Sequence, residues 1–123
     1  MKFLYKLQDA LDVSWPGIKI KSYSEGKDFA PASAARFWVD GSHGKMVSEV
    51  SDRVYLVLDG QGYFEIENER IRVTKTDVII VPKQTKYDYG GKMELFLVHT
   101  PAFDRMRDRI RHETDEFEGD PRS

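Results

Sequence analysis

The chain has 123 residues, of which 40% are hydrophobic and 33% are charged, as is typical of one soluble globular domain. Its 19 basic and 21 acidic side chains give a formal net charge of -2, so we do not expect the concentrated basic surface that nucleic-acid binding requires. The absence of cysteine excludes disulfides, thiolate metal sites and cysteine nucleophiles. No apolar run reaches membrane-spanning length and no signal-peptide core is present, so we expect a cytoplasmic protein without membrane contact.

The first third of the chain contains two strand patterns separated by loops. Residues 1–17 fit either a strand or a short helix. The alternation of apolar and polar residues over 18–23 predicts a strand, and a second strand is expected over 35–39. The glycine-rich segment 40–44 predicts a turn, in which His43 is expected to be solvated.

The centre of the chain carries the clearest strand signals. The β-branched and aromatic residues over 53–58 predict a strand that stops at a glycine turn over 59–62. The almost entirely apolar segment 77–81 predicts a buried strand that ends at Pro82. Further short strands are predicted at 63–66, 70–73 and 94–99. Short strands at close spacing, with turn signals between them, indicate an all-β sandwich or barrel.

Two segments of this pattern resemble the motifs of the cupin superfamily. The first is 53–62, Arg-Val-Tyr-Leu-Val-Leu-Asp-Gly-Gln-Gly, an aromatic and aliphatic strand that ends in a glycine turn. The second is 76–82, Thr-Asp-Val-Ile-Ile-Val-Pro, in which an aspartate leads an apolar strand into a proline. The resemblance is strongest over 35–103.

The resemblance implies an all-β fold: a single cupin-type β-barrel, also called a double-stranded β-helix or jelly roll, with a short C-terminal helix. We expect the barrel domain over 1–103 and the helix and tail over 104–123. The helix is favoured because Met106 and Ile110 lie four residues apart. Cupins commonly pair, so the resemblance also implies a homodimer.

The metal-binding residues of the family are replaced in this chain. Metal-binding cupins use His-x-His, then Glu, at a fixed distance before the turn glycine, and a last His after the second motif. Counted from Gly60 and Pro82, these positions hold Met46, Ser48, Arg53 and Tyr87, or Val47 and Glu49 in place of the first two with the shorter spacing of the family. A permanent cation at Arg53 repels a metal ion, and only Glu49 offers a ligand, so we expect neither a metal nor another cofactor.

Strand alternation places Tyr55 on the same face as Arg53, and Tyr89 on the same face as Tyr87. We therefore hypothesise a ligand pocket lined by Met46, Ser48, Arg53, Tyr55, Tyr87 and Tyr89, with Trp38 as a candidate for stacking on the ligand. An arginine among tyrosines suits an anionic or hydroxyl-rich small molecule, such as a sugar, a sugar nucleotide or an organic acid. The alternative is that Arg53 pairs with Glu49 or Asp52 and that the aromatic side chains fill the core.

Three functions are compatible with this sequence. The first is metal-independent binding of a small molecule in the barrel. The second is a metal-independent sugar isomerase or epimerase, in which His99 and Tyr87 would supply acid-base chemistry. The third is a structural or regulatory module with a filled barrel. His99, at the end of the last strand, fits either a catalytic role or that of a hydrogen-bonded structural histidine.

Overall fold

The computed structural model describes residues 1–14 and 16–104, together with the backbone of a strand over 110–112. Within these residues the chain forms nine β-strands and one short 3₁₀ turn, Leu7–Asp9. The strands are β1 (Leu11–Asp12), β2 (Ile18–Ser22), β3 (Ser33–Ser42), β4 (Met46–Ser48), β5 (Asp52–Ile66), β6 (Glu69–Thr74), β7 (Val78–Val81), β8 (Lys86–Thr100) and β9 (Ile110–His112). The predicted all-β fold is confirmed. No helix among the described residues has the length and apolarity needed to cross a membrane.

Two strands of 15 residues each, β5 and β8, organise the barrel because they pair antiparallel along their whole lengths. Both strands bend near their middle, at Gly60 in β5 and Gly91 in β8. On one side of this bend, the strands lie side by side in the order β1, β2, β3, β8, β5 and β7. On the other side the order is β9, β4, β8, β5 and β6. Since the two long strands belong to both sets, their inward faces enclose one common core.

In β5 the bend lies at the glycine turn that the sequence predicted over 59–62. β5 and β8 continue through 59–62 and through Gly90 and Gly91 instead of ending there. Gly60 has a φ of +82°, and a Cβ at this position would overlap the backbone oxygen of Lys92. The missing side chain therefore allows the backbones of the two strands to touch where they bend.

The core is layered along the barrel axis. One layer away from the bend, Phe37 lies opposite Ile20 on one side and Leu95 on the other, and Leu95 lies opposite Val57. These apolar side chains are at most 4% exposed. The interior also contains polar side chains, and there Arg53 from the first half of β5 reaches Tyr87 from the first half of β8.

β7 differs from the fully buried strand that the sequence predicted. Val81 points inward and is 1% exposed, whereas Val78 and Ile80 point outward and are 54% and 64% exposed. In the described part of the chain β7 pairs only with β5, so it forms an edge of the barrel wall with one face towards solvent.

The structures of the two chain ends differ from what the sequence predicted. The ambiguous N-terminal segment contains the 3₁₀ turn and the two-residue strand β1, which pairs with β2. Most of the predicted C-terminal helix and tail, at 105–109 and 113–123, lies outside the described residues. The helix prediction is wrong for Ile110–His112, because these residues form strand β9 and pair with β4.

Replacing Gly60 with alanine tests the close approach at the bend. The new Cβ would meet the Lys92 oxygen and would lie 2.8 Å from the Cα of Met93, both backbone atoms that cannot rotate away. Together with the positive φ, this overlap is expected to lower the free energy of unfolding by about 2 to 4 kcal/mol, measured by urea denaturation.

Gly44→Ala is the matched control for this experiment. Gly44 also has a positive φ, +94°, but a Cβ there would have no neighbour within 4 Å. This variant should lose only about 1 kcal/mol, the cost of the backbone conformation. Equal losses in the two variants would contradict the close approach of β5 and β8.

Candidate functional site

The interior of the barrel holds a group of buried side chains that we call the arginine–tyrosine cluster. Its members are Met46, Ser48, Arg53, Tyr55, Tyr87 and Tyr89. Each member is at most 3% exposed. The structure therefore brings together six of the seven side chains that the sequence predicted to line a pocket.

Strand pairing explains how the cluster forms. Met46 on β4 lies directly opposite Tyr87 on β8, and Tyr89 shares the inward face of β8 with Tyr87. Arg53 and Tyr55 come from the first half of β5, which the bend turns towards them. The structure also decides between the two registers considered for β4, because Met46 and Ser48 are buried whereas Val47 faces the other way and is half-buried.

Arg53 is the most unusual member, because its guanidinium is fully buried without a countercharge among the described residues. The side chain is 0% exposed, and its Nη1 donates a hydrogen bond of 3.2 Å to the Tyr87 hydroxyl. Its Nε and Nη2 have no hydrogen-bond partner among the described residues, and it forms no ion pair with any of them. The pairing of Arg53 with Asp52 that the sequence left open does not occur, since that carboxylate accepts a hydrogen bond from the Lys83 backbone.

The three tyrosines are packed ring against ring and linked by hydroxyl contacts. The hydroxyls of Tyr55 and Tyr87 lie 2.6 Å apart, and the rings of Tyr87 and Tyr89 are stacked with their centroids 6.1 Å apart. Burial raises the pKa of Tyr55 and of Tyr89 well above the usual value for a phenol, so both stay neutral beside Arg53. The Tyr89 hydroxyl has no hydrogen-bond partner among the described residues.

His99 lies beside Arg53, directly across the strand pair, and is 2% exposed. Its Nδ1 is 3.5 Å from the Ser33 hydroxyl and its ring packs against Phe103, whereas its Nε2 has no partner within the described part of the chain. Burial, and then the Arg53 cation, hold the pKa of His99 well below its usual value, so the imidazole is neutral at pH 7.

His43 is a buried neighbour of the cluster that the sequence analysis missed. Its ring stacks on Tyr89 with centroids 4.6 Å apart, and its backbone N–H donates to the Tyr89 carbonyl at 2.8 Å. The side chain is 7% exposed, so the expectation of a solvated histidine is wrong. The Asp88 side chain helps to hold this loop against β8 by accepting the Gly44 N–H at 2.8 Å, a contact between distant residues that no local pattern reveals.

Trp38 is the predicted lining residue that lies elsewhere. It is half-buried on the outer face of β3, between the side chains of Lys19 and Arg36, which lie 5.4 and 5.1 Å from its ring centroid. It borders a surface cavity of about 830 Å³ near the bend. Trp38 therefore neither stacks on a ligand in the arginine–tyrosine cluster nor fills the barrel core.

The residues of the cluster do not fit the metal ion that many cupins carry. Within the described part of the chain, no group of three or more His, Cys, Asp or Glu side chains could hold a metal ion. The cluster instead contains a buried cation, Arg53, and neutral phenols, which are not a ligand set for a divalent metal.

Comparison with solved structures identifies the fold of the chain. KdgF from Halomonas sp. is similar with a TM-score of 0.74 and 19% identity, over 86% of this chain and 99% of that chain. Salicylate 1,2-dioxygenase from Pseudoaminobacter salicylatoxidans has a TM-score of 0.72 and 15% identity, over 84% of this chain and 31% of that chain. At such identities the likeness shows the fold alone. That fold is the cupin-type β-barrel, as the sequence motifs predicted.

A more similar structure is that of Pac13, a nucleoside dehydratase, with a TM-score of 0.80 and 28% identity over 91% of this chain and 92% of that chain. A Streptomyces PAC13 variant in complex with uridine matches with the same TM-score at 27% identity, over the same shares of the two chains. No protein-family model and no curated protein sequence matches the chain.

The lowered pKa of His99 generates a prediction about stability. The imidazole takes up a proton near pH 6.5 when the chain is unfolded but not when it is folded, so the stability due to this group is complete above that pH and is lost as the pH falls. The loss between pH 6.5 and 5.0 cannot exceed about 1.4 kcal/mol for each pH unit, the limit for a group that is protonated only in the unfolded chain.

The measurement is urea denaturation of the wild type and of His99→Gln at pH 7.5 and 5.0. The carboxylates are common to both proteins, so the difference between the two pH dependences isolates His99. The variant should lose less stability on acidification than the wild type. The same loss in both proteins would show that His99 is protonated in the folded barrel.

Proposed function

We propose that this cupin binds a small polar molecule at the arginine–tyrosine cluster without a metal ion, and that the ligand is a nucleoside or a derivative of one. The uridine complex of the PAC13 variant supports the ligand class, because that protein has the same fold at 27% identity over nearly its whole length. The proposal replaces the sugar, sugar nucleotide or organic acid that the sequence suggested as the ligand.

One observation carries the proposal: the inward face of the barrel contains polar atoms that no described residue satisfies. These atoms are the Arg53 Nε and Nη2, the Ser48 hydroxyl and the Tyr89 hydroxyl. Buried polar groups in proteins are nearly always hydrogen-bonded, and each one left without a partner costs about 1 to 3 kcal/mol. A bound molecule with several oxygen atoms would satisfy these groups together.

The chemistry of the unsatisfied atoms matches a nucleoside. The guanidinium offers donors only, so it requires acceptors such as the carbonyl oxygens of a pyrimidine. The hydroxyls of Ser48 and Tyr89 can both donate and accept, so they can pair with the hydroxyls of a ribose.

Binding requires part of the wall to move, because every member of the cluster is buried. β4 is the short strand that carries Met46 and Ser48, and two residue pairs join it to β8. Displacement of β4 would expose these two side chains while leaving the pairing of β5 with β8 intact. This strand is therefore our candidate for the entrance.

A second candidate function is acid-base catalysis on the bound nucleoside. This function is supported by two neutral side chains that can accept or donate protons. One is His99, next to Arg53, and the other is Tyr89, on whose ring His43 stacks. Pac13, which is similar in structure, is a nucleoside dehydratase. This activity differs from the sugar isomerase that the sequence left open, but it would need the same kind of metal-independent proton transfer.

Removing the Tyr89 hydroxyl should weaken uridine binding without destabilising the protein. This hydroxyl has no partner to lose among the described residues, so Tyr89→Phe should unfold at the same urea concentration as the wild type or a higher one. Loss of one hydrogen bond to the ligand should raise the Kd for uridine about fivefold, measured by calorimetric titration with millimolar uridine.

Tyr23→Phe is the matched control, since Tyr23 is half-buried outside the cluster with its ring 6.5 Å from that of Phe96. It should bind uridine as the wild type does. If the wild type gives no heat with uridine, the nucleoside proposal is wrong and the filled barrel is the better account. If Tyr89→Phe binds uridine normally, the ligand does not reach Tyr89.

We also propose that the chain forms a homodimer through the exposed apolar faces of its barrel wall. Val78 and Ile80 on the edge strand β7 are more than half exposed, and so are Phe3 and Leu4 in the N-terminal segment, at 86% and 66%. A second copy of the chain could cover these surfaces and protect the strand edge.

The variant Ile80→Lys should shift the protein from dimer to monomer in light scattering at high micromolar concentration, because a buried lysine without a partner opposes association. Glu69→Lys, an exposed change on β6, should leave the dimer intact. A wild-type protein that is monomeric under these conditions would contradict the proposed dimer.

A further inference from the structure

We propose that the barrel ligand carries an anionic group with two oxygen atoms, a carboxylate or a phosphate, and that the Nε and Nη2 edge of Arg53 binds this group. The inference rests on the proposed function, since it concerns the ligand of the same site. It adds a chemical requirement that a neutral nucleoside does not meet.

The geometry of the guanidinium singles out one edge. Nη1 already donates to the Tyr87 hydroxyl at 3.2 Å, and that hydroxyl lies 2.6 Å from the hydroxyl of Tyr55. The contact with Tyr87 fixes the orientation of the Arg53 side chain. The N–H groups of Nε and Nη2 remain without a partner among the described residues, and they point in parallel directions from one edge. Two parallel donors of this kind match the two oxygens of a carboxylate or a phosphate.

The charge of the cluster favours an anion for a second reason. The Arg53 cation forms no ion pair with a described residue, and Tyr55 and Tyr89 stay neutral because burial raises the pKa of both phenols. A neutral ligand would satisfy the hydrogen bonds and leave the buried charge uncompensated. An anionic ligand would supply both the acceptors and the countercharge, and the neutral His99 next to Arg53 adds no second cation.

The test compares three ligands that share one nucleoside: uridine, uridine 5′-monophosphate and uridine 5′-carboxylate. Calorimetric titration of the wild type at pH 7.5 gives the Kd of each. We expect at least one of the two anions to bind at least about tenfold more tightly than uridine, because charge-assisted pairs of hydrogen bonds are markedly stronger than neutral ones. The anion that binds more tightly identifies whether the site takes a phosphate or a carboxylate.

Variants of Arg53 then locate the preference. Arg53→Met should remove it, so that the anions bind no better than uridine. Arg53→Lys keeps the charge but lacks the two-donor edge, so it should lose most of the preference. Arg36→Met, on the outer face beside Glu94, is the control and should keep the preference in full.

A structural role for Arg53 is tested on the same samples without ligand. If Arg53 serves the ligand, Arg53→Met should be at least as stable as the wild type in urea, since the change removes a buried and uncompensated cation. A large loss of stability, together with an unchanged ligand preference in Arg53→Lys, would overturn the assignment.

The ligand series separates failure of this inference from failure of the proposed function. If the wild type binds uridine as tightly as both anions, the site takes nucleosides but the anionic requirement is wrong. If it binds none of the three ligands, the nucleoside proposal fails and the inference fails with it. The wild-type series gives this answer even if an Arg53 variant does not fold.

Discussion

The antiparallel pairing of β5 with β8 along their whole lengths is the constraint on which this barrel depends. The two strands bend together where Gly60 crosses the backbone of Lys92, and the bend turns each strand back over the core. Arg53 and Tyr87 are 34 positions apart in the chain, yet the bend brings them within a hydrogen bond. Every member of the cluster lies on one of these two strands or on β4, which pairs with β8. The candidate site is therefore a product of how two strands bend together.

The sequence predicted much of this arrangement because strand alternation is a local property. It placed Arg53 with Tyr55 and Tyr87 with Tyr89, whereas the contact between the two pairs depends on the bend. Alternation does not tell which face is inward, however. Trp38 and its neighbour Phe37 are both large aromatic residues, and only the closed barrel puts Phe37 inside and Trp38 outside. Glycine signals have a similar limit, because a bend within a strand and a turn between two strands require the same residue.

The energetic cost of burying Arg53 supports the proposal that a ligand binds at the cluster. A buried guanidinium that has one hydroxyl partner among the described residues is a poor contributor to stability, and an apolar side chain of similar size would stabilise a filled barrel better. The neighbouring phenols orient the cation but do not neutralise it. Natural proteins keep such groups where function requires them, and under the proposed function the cost would be recovered on ligand binding. The stability of this barrel is therefore expected to depend on its occupant more than that of a barrel with an apolar interior.

The burial of the cluster also determines how the site responds to acidity. Arg53 keeps its charge at every pH that proteins tolerate, while Tyr55 and Tyr89 ionise only in strong base and His99 only in acid below its usual range. Over the neutral range these four groups together present a constant single positive charge. Because the charge of these residues does not change over this range, the pH dependence of binding would follow the protonation of the ligand and not that of the site.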